Sequence, residues 1–163
     1  MARVKTGRFT TDLDEDFAVF LIGMRVNSLW KIHKWLPVFL AMPRMLKELE
    51  EQDERGLLGY RTRWGFRNVE VIQYWRSLEA LLAYAHHEDA EHVPAWADFN
   101  QRIGDDGSVG IWHEAYQIQD GHYETLYRHM PPHGLGAATP TVEATGSRRS
   151  AADRLEDVDV CPR

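Results

Sequence analysis

The first strong pattern along the chain is a continuous apolar run at residues 17–24, which lies between acidic residues and the pair Asn27-Ser28. Its content of β-branched and aromatic residues predicts a central strand that is buried on both faces. Beyond Asn27 or Ser28, either of which can cap a helix, apolar residues recur mostly at helical spacing as far as Gly56. The pattern therefore predicts a strand followed by a long helix. Pro37 and Pro43 lie within that helix, so we expect a kink or two abutting helices.

The middle of the chain predicts a β-hairpin, since the strand-like runs 57–64 and 69–75 are joined by four residues. Ser77 is the predicted cap of a short helix, and a second helical segment is predicted at 89–102. Residues 109–118 alternate between apolar and polar and predict a fourth strand.

The element order is then β-α-β-β-α-β. It predicts an α+β fold of the ferredoxin-like split βαβ type, with a four-stranded antiparallel sheet and helices on one face. Because both faces of the strands are apolar, we expect a second copy to cover the other face and form a homodimer, a dimeric α+β barrel. The predicted regions are an α+β barrel domain at 10–120, a C-terminal aromatic arm at 121–137 and a flexible polar tail at 138–163.

Charge and composition narrow the class of protein. Nineteen Lys and Arg against 25 Asp and Glu give a net charge of −6, which argues against a nucleic-acid partner. The single cysteine, Cys161, excludes an internal disulfide. The apolar run at 17–24 is too short to cross a bilayer, and the acidic residues before it are unlike a signal peptide. These features predict a cytoplasmic protein with no membrane partner.

Few motifs in the chain point to a specific chemistry. Walker, GxGxxG, GxSxG and HExxH motifs are all absent from the sequence. His87 and Glu91 could share a helix face and bind a metal, but a third ligand would have to come from elsewhere. The favoured interpretation of this segment is a capped junction between two helices, without a metal.

Two regions supply candidate site residues. Arg25 and Asn27 follow the first strand, where Arg25 could hold an anionic or carbonyl group; alternatively Arg25 forms an interface salt bridge and Asn27 caps a helix. His113 is the one imidazole within a predicted strand, on the face opposite to Trp112. It could be a structural residue, a general base or a haem ligand.

Several segments together resemble the bacterial and fungal family of monooxygenase-like dimeric α+β barrel proteins. They include residues 20–27 (FLIGMRVN), 35–39 (WLPVF), 42–45 (MPRM), 73–77 (QYWRS), 91–96 (EHVPAW), 110–114 (GIWHE) and 130–136 (MPPHGLG). This resemblance covers about residues 17–138. It implies the α+β barrel fold, which cofactor-free quinone-forming monooxygenases share with haem enzymes such as aldoxime dehydratases and chlorite dismutases. The family also includes a member linked to oxidation in a fungal terpenoid pathway.

Three functions follow as hypotheses. In the leading one, a small oxidative enzyme without a required cofactor acts on an aromatic or terpenoid-like molecule between sheet and helices. Its base would be His113 and its hydrogen-bond donors Arg25, Asn27 and Tyr74; the substrate would contact Trp75, Trp96, His92, Trp112 and Phe99. In the second, haem occupies that space with His113 or His92 as axial ligand. The third is a non-catalytic dimeric ligand-binding protein.

Overall fold

A computed structural model describes residues 3–86, 101 and 106–155. Its centre is a sheet of four antiparallel strands, namely β2 Phe17–Val26, β3 Leu57–Trp64, β4 Asn68–Trp75 and β5 Val109–Ile118. Their order across the sheet is β3-β4-β2-β5, so β2 pairs along its length with β4 on one side and β5 on the other. This order is that of the split βαβ fold, and the predicted α+β ferredoxin-like class is confirmed.

Two helices cover one face of this sheet. They are α1, Ile32–Glu50, and α2, Leu78–Ala85. Leu49 of α1 and Leu81 of α2 pack with Ala18 and Trp75 in one buried cluster. The predicted Ser77 cap is confirmed, because its hydroxyl accepts a hydrogen bond from the Ala80 backbone N–H at 3.1 Å. Among the helices of the described residues, none is long and apolar enough to cross a lipid bilayer.

The start of α1 differs from the prediction. Asn27 and Ser28 do not cap it, because their backbone N–H groups donate to the Ser108 carbonyl and hold this segment beside β5. The helix begins only after Lys31. It then runs without interruption through Pro37 and Pro43 rather than as two helices. Burial of its apolar face against the sheet offsets the two missing backbone donors.

A second, three-stranded sheet was not predicted. It consists of β1 Lys5–Thr11, β6 Tyr127–Met130 and β7 Thr141–Glu143 in the order β6-β1-β7. The short helix α3, Leu135–Ala138, connects its last two strands. Strand β1 therefore starts five residues before residue 10, where the predicted barrel domain begins. Strand β7 lies within the segment 138–163 that was predicted to be a flexible tail.

The chain itself covers part of the second face of the four-stranded sheet. Leu135, with Tyr123 and Ala138 beside it, packs against Ile72 and Tyr74 on that face. The rings of Phe17 and Tyr123 meet edge to face at 5.1 Å. Part of the surface assigned to a partner copy is therefore covered by the aromatic arm. Trp112 and Tyr116 of β5, on the same face, stay exposed.

Candidate functional site

A cavity of about 320 Å³ lies between the four-stranded sheet and the two helices. Most of its wall is apolar and comes from three elements: β2 supplies Phe20, Ile22 and Met24, α1 supplies Phe39 and Met42, and β4 supplies Val71. Small-molecule sites are concave, mostly apolar and carry a few polar groups that orient the ligand. The apolar wall of this cavity has the character of such a site.

Four lining residues carry polar or charged groups, and they lie on four different elements. Arg44 is on α1, Gln73 on β4, Tyr84 on α2 and His113 on β5. The cavity thus brings together a cation, an amide, a phenol and an imidazole in an apolar surrounding. For the buried amide of Gln73 and phenol of Tyr84, a polar contact to a ligand is stronger than it would be in water.

Gln73 and Tyr84 are the two buried polar residues among the described residues of the wall. Only 5% of Gln73 is exposed. Its Oε1 accepts a hydrogen bond from the indole N–H of Trp75 at 2.9 Å, which orients the side-chain amide. Since an indole can only donate, the amide oxygen must face Trp75, and the two N–H groups of Gln73 are left to donate elsewhere. Within the described chain no acceptor meets them.

His113 lines the cavity from the edge of the sheet. It pairs with Ile22 across the β2–β5 ladder, so its side chain lies on the helix-bearing face. Its ring centroid is 5.7 Å from that of Phe20. Since β5 is at the edge of the sheet, His113 is exposed to solvent. An exposed imidazole at the cavity wall can exchange protons with solvent.

A hydrogen-bonded cluster at the α2 end of the cavity surrounds Tyr84. The Tyr84 hydroxyl donates to Glu48 at 3.3 Å, and Glu48 forms a salt bridge of 3.2 Å with Arg55. The Arg55 guanidinium also lies 5.3 Å from the centroid of the Tyr84 ring. Both partners of the salt bridge are largely shielded from solvent, so the charge-assisted contact is stronger than one on the surface. By contrast, Arg44 is exposed and has no ion pair within the described chain.

The predicted donors do not converge on His113. Arg25 and Tyr74 lie on the face of the sheet opposite to His113. Side chains alternate between the two faces along each strand, and the pairing register puts Ile22 and His113 on the helix-bearing face and these two residues on the other. Arg25 donates to the side-chain oxygen of Asn68 at 3.1 Å. Asn27 donates from its side chain to the Gly107 carbonyl at 2.9 Å. These three residues therefore do not line the cavity.

The predicted aromatic walls are also elsewhere. Trp75 is completely buried and does not line the cavity; its ring lies against that of Tyr84 in a tilted arrangement, with the centroids 5.6 Å apart. Trp112 lies on the outer face, over Gly23, where a β-carbon would come within 2.6 Å of the indole nitrogen. Two neighbours of Trp112 on that face interact, since Tyr116 donates to Glu114 at 2.6 Å and this contact raises the pKa of the phenol.

Other candidates lie outside the described residues. They are His92, Trp96 and Phe99, together with the metal-ligand candidates His87 and Glu91 and the free thiol Cys161. Among the residues that are described, no group of three or more His, Cys, Asp or Glu side chains is arranged to hold a metal ion.

Three polar lining residues, Arg44, Gln73 and Tyr84, were not among the residues predicted from the sequence. Gln73 had a detectable signal, because it is the polar residue within the buried run Val71, Ile72, Tyr74 and Trp75. A buried polar group in an apolar strand indicates either a satisfied core hydrogen bond or a binding site. Arg44 offered no such signal, since arginines on a helix are usually solvated.

The comparison with known proteins identifies the class. A family model described as monooxygenase af470-like matches residues 17–135. The chain belongs to the monooxygenase af470-like family, and the resemblance to monooxygenase-like proteins is confirmed. One relative is Monooxygenase af470 of Aspergillus fumigatus, which is 34% identical over 103 residues. That match covers 60% of this chain but only 35% of the relative.

Solved structures give more distant likenesses. A conserved protein of Bacteroides thetaiotaomicron, described as a possible oxidoreductase, is 18% identical and matches 65% of this chain and 100% of its own, with a TM-score of 0.37. A Caulobacter crescentus protein, described as antibiotic biosynthesis monooxygenase-like, is 14% identical and matches 62% of this chain and 90% of its own, with a TM-score of 0.42.

Proposed function

We propose that the protein is a monooxygenase-type oxidative enzyme whose substrate is an aromatic or terpenoid-like small molecule bound in the cavity between sheet and helices. The observation that carries this proposal is the cavity itself, which has a volume of about 320 Å³. Its wall is mostly apolar, and Arg44, Gln73 and His113 are among its few polar residues. An apolar wall favours an apolar ligand and excludes water, while the few polar groups orient it. Membership of the monooxygenase af470-like family supports the oxidative chemistry.

The polar groups suit a reaction that begins with removal of a proton from carbon. His113 is the base, which takes a proton from a methylene group activated by a neighbouring carbonyl or aromatic ring. The negative charge moves to oxygen, where the amide N–H groups of Gln73 and the Arg44 guanidinium donate to it. The carbanion then passes an electron to O₂. Overall, CH₂ and O₂ become C=O and H₂O.

The first test compares two histidine variants. His113→Gln preserves size and one donor but cannot act as a base, and we expect kcat/KM to fall by about 10²–10⁴-fold with an unchanged melting temperature. The matched control is His33→Gln, because His33 is exposed on α1 and is not part of the cavity wall. The measurement is O₂ consumption with a panel of phenolic and terpenoid ketones. Full activity of His113→Gln would contradict the role of His113.

The same variants and ligands also test two other functions, a haem enzyme and a non-catalytic ligand-binding protein. His113 is the one imidazole that lines the cavity within the described chain, so it could also serve as the axial ligand of haem. A Soret band after addition of haem, present in the parent and lost in His113→Gln, would establish the haem enzyme instead. Saturable binding of the ketones without O₂ consumption would favour a non-catalytic ligand-binding protein.

We also propose a homodimer formed through the outer face of the four-stranded sheet. The arm covers one part of that face, while Trp112 and Tyr116 remain exposed on the other. Exposed aromatic residues on an otherwise packed sheet face are typical of protein interfaces. Sedimentation velocity at micromolar concentration should show a dimer. A stable monomer of 18.9 kDa would contradict this arrangement.

A further inference from the structure

One end of the molecule exposes three large aromatic side chains. Trp30 is 95% exposed, Phe66 is 89% exposed and Trp64 is 68% exposed. All three lie where β2 ends and β3 turns into β4, because the Val26 backbone N–H donates to the Arg67 carbonyl at 2.8 Å. We call these three residues the aromatic end. Removing large aromatic side chains from water lowers the free energy, so their exposure here indicates a binding surface.

The aromatic end carries positive charge although the whole chain has a net charge of −6. Within the described chain, five basic and two acidic side chains lie around the aromatic end, which leaves an excess of three positive charges. The basic residues are Arg25, Lys31, Lys34, Arg63 and Arg67, and the acidic residues are Glu70 and Asp106. Lys31 and Lys34 share Asp106, and Arg63 pairs with Glu70 at 3.2 Å. Arg25 and Arg67 instead donate to uncharged oxygens, so their charge is not neutralised there.

We propose that the aromatic end docks on the surface of a membrane that contains anionic phospholipids. Tryptophan and phenylalanine side chains insert at the level of the lipid headgroups, and surrounding arginines and lysines are attracted by lipid phosphates. A second copy of the chain fits this surface less well, because a symmetric contact would oppose two sets of excess positive charge. The proposal departs from the expectation of no membrane partner, which rested on the lack of a membrane-spanning segment.

The docked end also lies next to the cavity. The Trp64 ring is 5.5 Å from the ring of Phe39, and Phe39 lines the cavity. An apolar substrate concentrates in the bilayer, so docking at this end would place the cavity wall close to its source. This last step rests on the proposed function, whereas the docking itself does not.

The test measures binding of the full chain to vesicles by co-sedimentation. We expect binding to vesicles of phosphatidylcholine with phosphatidylserine and much weaker binding to phosphatidylcholine alone, with a decrease as salt is added. The double variant Trp30→Ser/Phe66→Ser should bind at least about tenfold more weakly. Both side chains are almost fully exposed, so their loss should leave folding intact. The matched control is Leu82→Ser/Leu126→Ser, which removes two half-exposed apolar residues elsewhere.

Two results would overturn the proposal. The first is equal binding by the parent and the Trp30→Ser/Phe66→Ser variant, or binding that does not depend on phosphatidylserine. The second is a change in oligomeric state of that variant in sedimentation velocity, which would identify the aromatic end as a protein interface. Vesicle binding requires no turnover, so either result is distinguishable from a failure of the proposed enzymatic function.

Discussion

The hydrogen bond between Trp75 and Gln73 allows a quantitative test of how the cavity wall is held. Trp75 is completely buried, Gln73 is 5% exposed, and the indole N–H donates to the amide oxygen at 2.9 Å. Trp75→Phe removes the donor and leaves the buried Gln73 oxygen without a partner. Gln73→Met removes the acceptor at nearly constant volume and leaves the buried indole N–H without a partner. The double variant has neither of the two orphaned groups.

The expected magnitudes follow from these contacts. An unsatisfied buried polar group costs about 1–3 kcal/mol in the free energy of unfolding, and this is the expected loss for Gln73→Met. Trp75→Phe has this cost too, and the smaller ring also leaves a void. The void costs about 1–2 kcal/mol, less than truncation of the whole ring, so the total loss is about 2–5 kcal/mol. Because the double variant orphans nothing, its loss should be smaller than the sum of the two single losses by both orphaned-group costs, about 2–6 kcal/mol.

The assay is urea unfolding of the parent and the three variants, with the free energy of unfolding taken from the midpoint and slope. Thermal melts are the second measurement, in which 1 kcal/mol corresponds to about 2–4 °C for a chain of this size. Additive losses, with a coupling below about 0.5 kcal/mol, would refute the reasoning, since the two groups would then not depend on each other. Gln73 would in that case be free to rotate within the cavity wall.

Two further variants test other contacts. Gly136→Ala should lower the free energy of unfolding by about 1–3 kcal/mol, because its β-carbon would lie 2.7 Å from the Tyr127 ring. The control is Gly110→Ala, and thermal melts compare the two variants. Equal melting temperatures would contradict the expected clash. Lys34 hydrogen-bonds Asp106 and lowers the pKa of its carboxyl, so the parent should be more stable than Asp106→Asn at neutral pH. That difference should shrink as the pH falls through about 4, the pKa in the unfolded chain, and urea unfolding at several pH values would show it.

The four-stranded sheet could be predicted because each of its strands has a strong local signal. The β2 segment is a continuous apolar run, and the hairpin that joins β3 to β4 has a short loop between two strand-like runs. The other sheet has no such signal. Its strand β1, Lys5–Thr11, is mainly polar and becomes a strand through pairing with segments more than 110 residues away. Long-range pairing of this kind leaves no periodic pattern in the sequence.

The candidate site was predicted less well, for a reason of register. His113 was correctly assigned to one face of a strand, but its companions were selected by their closeness to strand ends. Whether two residues on different strands share a face depends on the register between the strands, and a shift by one residue reverses it. The pairing of Ile22 with His113 places Gln73 on the cavity side and Tyr74 on the other. That register is a property of the folded sheet and could not be obtained from either strand alone.

The distribution of charge along β2 also determines how the molecule would lie on an anionic membrane. The segment before Phe17 contains Asp14, Glu15 and Asp16, all exposed, whereas the strand ends beside the cationic aromatic end. Since α1 runs back along the sheet, its acidic C-terminus with Glu50 lies at the far end as well. Ten residues of strand separate the two ends by roughly 30 Å, several times the screening length in physiological salt. When the aromatic end is docked, the acidic end therefore lies beyond the screened field of the lipid, whereas the reverse orientation would bring acidic residues against lipid phosphates. The charge distribution thus favours the orientation that turns the Phe39 side of the cavity toward the lipid.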